Sequence, residues 1–248
     1  MNSKIAQSCG WDEHYVEEIN LTNTLNCQYC YSKFRVRCAI ASLLQVGWQG
    51  KFRSIADLVH SLKSGQNDNW LVLETASTGG IFSDYDDLKQ VIKSEYYDDI
   101  PRGSECNGIR SEDLTHLTFD ENTLDTVISL DVFEHIADPW KAFLEVVRVL
   151  KPGGLGIITV PIDRRTQKTL TLATLEHGKI KHFRESPAYH VDPLREEGAL
   201  VFTEFGTDIV DRLRAIGCHA SLKCYSTKRS QAHQFVILLH KPPLSGKE

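Results

Sequence analysis

The alternation of apolar and polar positions becomes regular only after a polar loop that ends near residue 69. The apolar runs "WLVLE" (70–74), "TLDTVISL" (123–130) and "LGIITVP" (155–161) predict three buried strands. Between the last two, "DPWKAFLEVVRVLKPGG" (138–154) has apolar residues at helical spacing. Strand, helix and strand in close succession predict a parallel sheet with right-handed crossovers.

The segment 138–154 is the clearest helix signal in the chain. Asp138 suits the N-cap and Pro139 the first helical position. We expect the helix to end at Pro152, Gly153 and Gly154. Its predicted core-facing residues are Trp140, Phe143, Leu144, Val147 and Leu150.

The C-terminal third begins with a segment of weak periodicity (162–199) that is rich in His, Lys, Arg and Thr. A second amphipathic helix is expected within 203–218, with Ile209, Leu213 and Ile216 on its apolar face. "ASLKCYS" (220–226) and "HQFVILLH" (233–240) predict an antiparallel hairpin at the sheet edge. The chain is therefore predicted to have an α/β fold.

Composition narrows the class of protein. The chain has 248 residues, 41% hydrophobic content, a net charge of −5 and a pI near 6.1, values that are ordinary for a soluble globular protein. The acidic balance argues against a nucleic-acid partner, and no apolar run suits a membrane span. Seven irregularly spaced cysteines and an N-terminus without an apolar signal segment predict a cytoplasmic protein.

Residues 1–65 differ from the remainder and are predicted to form a small N-terminal appendage, either helical or built on a cysteine knuckle. They contain Cys9, Cys27, Cys30 and Cys38. The pair Cys27 and Cys30 has the spacing of two zinc ligands, which Cys9 and Cys38 would complete. The alternative is four reduced cysteines without a metal. Residues 66–248 are predicted to form the main domain, with an insert at about 162–199.

The segment "FDENTLDTVISLDVFEHIADPWKAFLEVVRVLKPGGLGIITVP" (119–161) resembles class I S-adenosylmethionine-dependent methyltransferases. The resemblance extends from about residue 70 to the C-terminus, and it is closest to a type 11-like bacterial subgroup with a degenerate glycine loop. It implies a Rossmann-like, seven-stranded, mostly parallel sheet with an antiparallel last strand. The implied cofactor is S-adenosylmethionine.

The same resemblance implies which residues hold the cofactor. The loop "ETASTGG" (74–80) departs from the family, because Ala76 and Thr78 stand where glycines are usual. If either residue has positive φ, its Cβ is costly there, most of all for Thr78. The expected cofactor-binding residues are Glu74, Ala76, Thr78, Gly80, Glu95, Asp113, Leu114 and Asp131.

The implied activity is methyl transfer to a small molecule or glycan, at an oxygen atom. A histidine can remove the acceptor proton near pH 7, and the candidates are His190 with Tyr189, and His135. A catalytically silent binding or scaffold protein is the alternative, with Ala76 and Thr78 as signs of a lost cofactor site. A nicotinamide-dependent oxidoreductase ranks third, since it requires a G-x-G-x-x-G loop that the chain lacks. The sequence leaves the oligomeric state open.

Overall fold

The computed structural model describes residues 26–29, 31–190, 198–227 and 232–243. Its helices are short, and none of them in these ranges is long and apolar enough to cross a membrane. They are α1 (Phe34–Ser42), continued by a π-helical turn (Leu43–Gly47), α2 (Ile55–Lys63), α3 (Pro139–Val149) and α4 (Ile209–Ala215), with a 3₁₀ turn at Phe133–His135.

The strands are numbered in chain order. They are β1 (Val72–Thr75), β2 (Val91–Glu95), β3 (Glu105–Cys106), β4 (Ile109–Ser111), β5 (Leu124–Leu130), β6 (Leu150–Thr159), β7 (Leu170–Thr171), β8 (Ala173–Glu176), β9 (Lys179–His182), β10 (Tyr189–His190), β11 (Ala199–Leu200), β12 (Thr203–Glu204), β13 (His219–Ser226) and β14 (His233–His240).

One central sheet organises the molecule, with the spatial order β13-β14-β6-β5-β1-β2-β4-β3. Strands β1, β2, β4, β5 and β6 are mutually parallel, whereas β14 is antiparallel to β6 and to β13. The α/β class, the mostly parallel sheet and the antiparallel last strand are therefore confirmed. The described sheet has eight strands rather than seven, because the two-residue β3 folds back on β4.

Both faces of the sheet are buried, which explains why its strands read as continuous apolar runs. Neighbouring residues of one strand point to opposite faces, so Val127 packs in the cluster with α3 and α4, and Ile128 in the cluster with α1 and α2. Ile158 and Ile157 of β6 divide in the same way.

Helix α3 begins as predicted, with the Asp138 carboxylate accepting the backbone N–H of Lys141. Two parts of the prediction are wrong. Leu144 is 45% exposed, and the helix ends at Val149, because β6 already starts at Leu150 and includes Pro152–Gly154. The apolar face of α4 is also narrower than predicted, since Ile216 is 37% exposed. The buried helical residues of α3 are Pro139, Ala142, Phe143, Val146 and Val149.

The largest departure from expectation lies after β1. In Rossmann-like folds a helix follows the loop after the first strand, yet residues 76–90 form only turns before β2 begins. Residues 96–108, between β2 and β4, likewise contain no helix. Helices α1 and α2 cover part of one face of the sheet, on which Val36 and Leu58 are buried. The division near residue 65 stays a prediction, but α1 and α2, the helices described within 1–65, pack directly on the sheet.

Candidate active site

The carboxyl ends of four parallel strands meet at one edge of the sheet. In register, Thr75 of β1 lies beside Ser94 of β2 and Ser129 of β5, and Leu130 of β5 lies beside Thr159 of β6. The residues that follow these positions are therefore neighbours. In open α/β sheets this edge is where ligands bind.

Glu74 is fully buried and acts on the loop that follows β1. Its carboxylate accepts the backbone N–H groups of Ile81 (2.5 Å) and Phe82 (3.0 Å). Burial raises the pKa of Glu74 to about 7, although these two hydrogen bonds act to lower it. A Cβ at Gly80 would lie 2.5 Å from Glu74 Oε1. Residue 80 therefore has to be a glycine, because a side chain there would occupy the space of the Glu74 carboxylate that holds the turn by hydrogen bonds.

The backbone of the loop shows where the missing glycines matter. Ala76 has φ of 48° and Gly79 has φ of 76°, whereas Thr78 is not among the residues with positive φ. The left-handed conformation therefore falls on Ala76, the smaller of the two replacements. Thr78 and Gly79 are exposed, and a Cβ at Gly79 would meet nothing within 4 Å.

The next two strand ends carry the other expected cofactor residues. Glu95 is the half-buried last residue of β2 and pairs in register with Ser111 of β4. Asp113 follows two residues later, and its Oδ1 accepts the backbone N–H and the hydroxyl of Thr115. Leu114 beside it is buried.

Asp131 lies beyond the end of β5 and is engaged by a residue that the sequence did not single out. Its carboxylate pairs with Arg35 of α1 and accepts the hydroxyl of Thr159 at 2.7 Å. Burial acts to raise the pKa of Asp131, but the Arg35 charge and the Thr159 hydroxyl outweigh it and lower that pKa. The only signal for Arg35 was its place in the basic stretch "SKFRVRC".

Two of the three candidate catalytic residues come together beside Asp131. His135 Nε2 lies 3.3 Å from His190 Nδ1, although the two residues are 55 positions apart. Glu134 completes the cluster, with its Oε1 3.6 Å from His135 Nε2 and 3.7 Å from His190 Nδ1. Its side chain is 2% exposed, and neither carboxylate oxygen has a hydrogen-bond partner among the described residues. Tyr189 precedes His190 in β10 and, as its strand neighbour, points to the opposite face.

Two other histidines of the insert, and Cys27 and Cys38, are not part of this cluster. His177 and His182 are exposed in the β8–β9 hairpin of the insert. Cys38 is buried against the sheet, and that burial raises its thiol pKa to about 12. Cys27 is partly exposed. Cys9 and Cys30 lie outside the described residues, so a zinc site at Cys27 and Cys30 stays a prediction.

A family model described as "Methyltransferase domain" matches residues 87–158, from the turn before β2 almost to the end of β6. The resemblance to class I S-adenosylmethionine-dependent methyltransferases is confirmed. An uncharacterized methyltransferase of Mycobacterium sp. (strain JLS) is 40% identical to this chain over 48 residues. One from Mycolicibacterium vanbaalenii is 38% identical over 48 residues. Each methyltransferase match covers 19% of this chain and only 19% of the relative.

Solved structures are also similar to this chain, at lower sequence identity. A SAM-dependent methyltransferase from Methanosarcina mazei is 15% identical, with coverage of 75% of this chain and 97% of that one and a TM-score of 0.42. A protein from Pyrococcus horikoshii is 17% identical, with coverage of 94% and 100% and a TM-score of 0.43.

Proposed function

We propose that the protein transfers the methyl group of S-adenosylmethionine to an oxygen atom of a small-molecule or glycan acceptor. The observation that carries the proposal is the edge of the sheet where Ala76, Glu95 and Asp113 lie at the ends of three neighbouring parallel strands. The methyltransferase match over residues 87–158 includes two of these three positions and supports S-adenosylmethionine as the cofactor.

The residues at this edge suit the adenosine half of the cofactor. The Glu95 carboxylate accepts hydrogen bonds from the ribose hydroxyls, as acidic residues at the end of a second strand do in related sheets. Asp113 Oδ1 is engaged by Thr115, so the other carboxylate oxygen faces the adenine amino group, with Leu114 beside the ring. The turn after Ala76 takes the methionine end, where Gly79 leaves open space.

In this proposal the methyl acceptor binds next to Asp131, His135 and His190. His190, or His135 beside it, takes the proton that the acceptor hydroxyl loses as the methyl group arrives. Tyr189 points to the opposite face of β10 from His190 and takes no part in this proton transfer. Most of the rate comes from holding the acceptor oxygen in line with the methyl group, because the sulfonium is already an activated donor.

The second candidate is a catalytically silent protein that keeps the fold for binding or scaffolding. It is favoured by the strained Ala76 and by the missing helix after β1. A helix N-terminus at that point would provide free backbone N–H groups and a favourable dipole for an anionic group, and turns replace it here.

Calorimetric titration with S-adenosylmethionine and S-adenosylhomocysteine separates the two candidates. An enzyme binds both with micromolar affinity, and Glu95→Ala or Asp113→Ala weakens binding about tenfold or more through the lost charge-assisted hydrogen bonds. Glu105→Ala, an exposed carboxylate on β3 of the same sheet, is the control and leaves affinity unchanged. A folded wild-type protein that binds neither compound would refute the proposal and favour the scaffold.

A further inference from the structure

We propose that Glu134, His135 and His190 form a binding site for one divalent transition-metal ion. The three side chains come from two separate parts of the chain, the 3₁₀ turn after β5 and strand β10 of the insert. They offer one carboxylate oxygen and two imidazole nitrogens that all lie within 4.8 Å of one another.

The spacing of the three atoms fits a metal ion. His135 Nε2 and His190 Nδ1 lie 3.6 Å and 3.7 Å from Glu134 Oε1, and 3.3 Å from each other. A triangle with these sides has a point about 2.0 Å from all three corners, which is the usual length of zinc–nitrogen and zinc–oxygen bonds. The atoms need little movement to bind a common ion.

Glu134 provides the strongest reason to expect a cation. Its side chain is 2% exposed, and both carboxylate oxygens lack a hydrogen-bond partner among the described residues. The nearest histidine nitrogens, at 3.6 Å and 3.7 Å, are beyond hydrogen-bonding distance. Burying a carboxylate without partners is costly, and buried charges are normally paired or bound to a metal.

His135 is already oriented as a ligand. Its Nδ1 lies 2.8 Å from the carbonyl oxygen of Leu200, which only accepts, so Nδ1 carries the proton. Its Nε2 lone pair accepts the Nδ1–H of His190, and that proton is released to water when an ion binds. A hydrogen bond such as that to Leu200 is typical of metal-bound histidines, because it fixes the tautomer and the ring orientation. Leu200 belongs to β11, which pairs with the strand of His190, so one small sheet holds both rings.

Two histidines and one carboxylate favour Zn²⁺, Co²⁺ or Fe²⁺ over Mg²⁺ or Ca²⁺, which prefer oxygen ligands. Three protein ligands also leave an open position, as in catalytic metal sites. This step rests on the proposed function: the open position takes the acceptor oxygen, and the bound metal, rather than a histidine lone pair, then favours loss of the acceptor proton to water. The metal site itself does not depend on the methyl transfer.

The test uses untagged full-length protein that has been treated with a chelator and dialysed. Titration with Co²⁺, followed by visible absorption, and with Zn²⁺, followed by calorimetry, should each give one ion per chain. The Co²⁺ spectrum should lack a sulfur-to-metal charge-transfer band, because no cysteine is among the ligands. Glu134→Gln and His190→Ala should each weaken binding tenfold or more, whereas His182→Ala, an exposed histidine of the insert, should leave it unchanged.

Two results would overturn the metal site. One is a folded wild-type protein that binds neither ion, and the other is equal binding by wild type and Glu134→Gln. Titrating S-adenosylmethionine into the metal-free protein keeps the two proposals apart. Metal binding without cofactor binding refutes only the methyl transfer, and cofactor binding without metal binding refutes only the metal site.

Discussion

Replacing Glu74 with glutamine should change how the stability of the protein depends on pH. The carboxylate is buried under the loop after β1, and its pKa is raised to about 7 from 4.5, chiefly by that burial. A raised pKa means that the folded protein holds this proton more tightly than the unfolded chain does. Glu74 therefore contributes stability that is fully present below pH 4.5 and is lost as the pH rises through about 7.

The size of the effect follows from the pKa difference. A pKa change from 4.5 to about 7 corresponds to about 3 kcal/mol of the free energy of unfolding, at 1.36 kcal/mol for each pH unit. Glutamine has no proton to lose in this range, so Glu74→Gln removes this contribution to the slope. At low pH the variant should be slightly less stable, because its amide nitrogen faces a backbone N–H of Ile81 or Phe82.

Urea unfolding of both proteins at several pH values between 4 and 8 measures this difference. The free energy of unfolding of wild type minus that of Glu74→Gln should fall by about 3 kcal/mol over that range. Subtraction cancels the histidines and the other carboxylates, which titrate in both proteins. Glu105→Gln, in which an exposed carboxylate is changed, should give a flat difference. A flat difference for Glu74→Gln would refute the reasoning.

Three further substitutions test the same edge of the sheet by thermal and urea unfolding. Ala76→Gly should stabilise the protein by about 0.5–1 kcal/mol, because removing the left-handed strain gains more free energy than the extra entropy of the unfolded chain costs. An unchanged stability would contradict the strain. Gly80→Ala should lower the free energy of unfolding by about 3 kcal/mol or more, because the new methyl group displaces the Glu74 carboxylate. Gly79→Ala, where the methyl group has open space, should lower it by only about 1 kcal/mol, and equal losses would contradict the contact. Arg35→Met should cost about 3–5 kcal/mol, because Asp131 stays buried without its partner; a neutral result contradicts the pairing.

Elements with strong local signals could be predicted from the sequence. The Asp138–Pro139 start of α3 and the apolar runs of β5 and β14 have the capping residues and apolar patterns that determine them locally. The turns of residues 76–90 were harder, since the family outline implies a helix there. Gly79 and Gly80 disfavour a helix at its start, but Ile81, Tyr85 and Leu88 have helical spacing, so the sequence does not indicate the turns.

The candidate site was only partly predictable for a different reason. His135 and His190 were singled out by residue type, but their approach to Glu134 depends on how the insert folds back on the 3₁₀ turn. Arg35 was missed because its partner, Asp131, is 96 positions away. No local pattern shows which distant residue compensates a buried charge.

Helix α1 and the C-terminal hairpin touch although they are far apart in the chain. Ser42 and Tyr225 share a hydrogen bond of 2.8 Å across 183 residues, and Val236 and Leu238 of β14 lie in the same apolar cluster as Phe34. At about 5–20 residues per second, a ribosome takes roughly 10–40 s to add that length. During this time the apolar side of α1 has been synthesised but the hairpin that covers it has not, so this surface is exposed to aggregation until the last strands emerge.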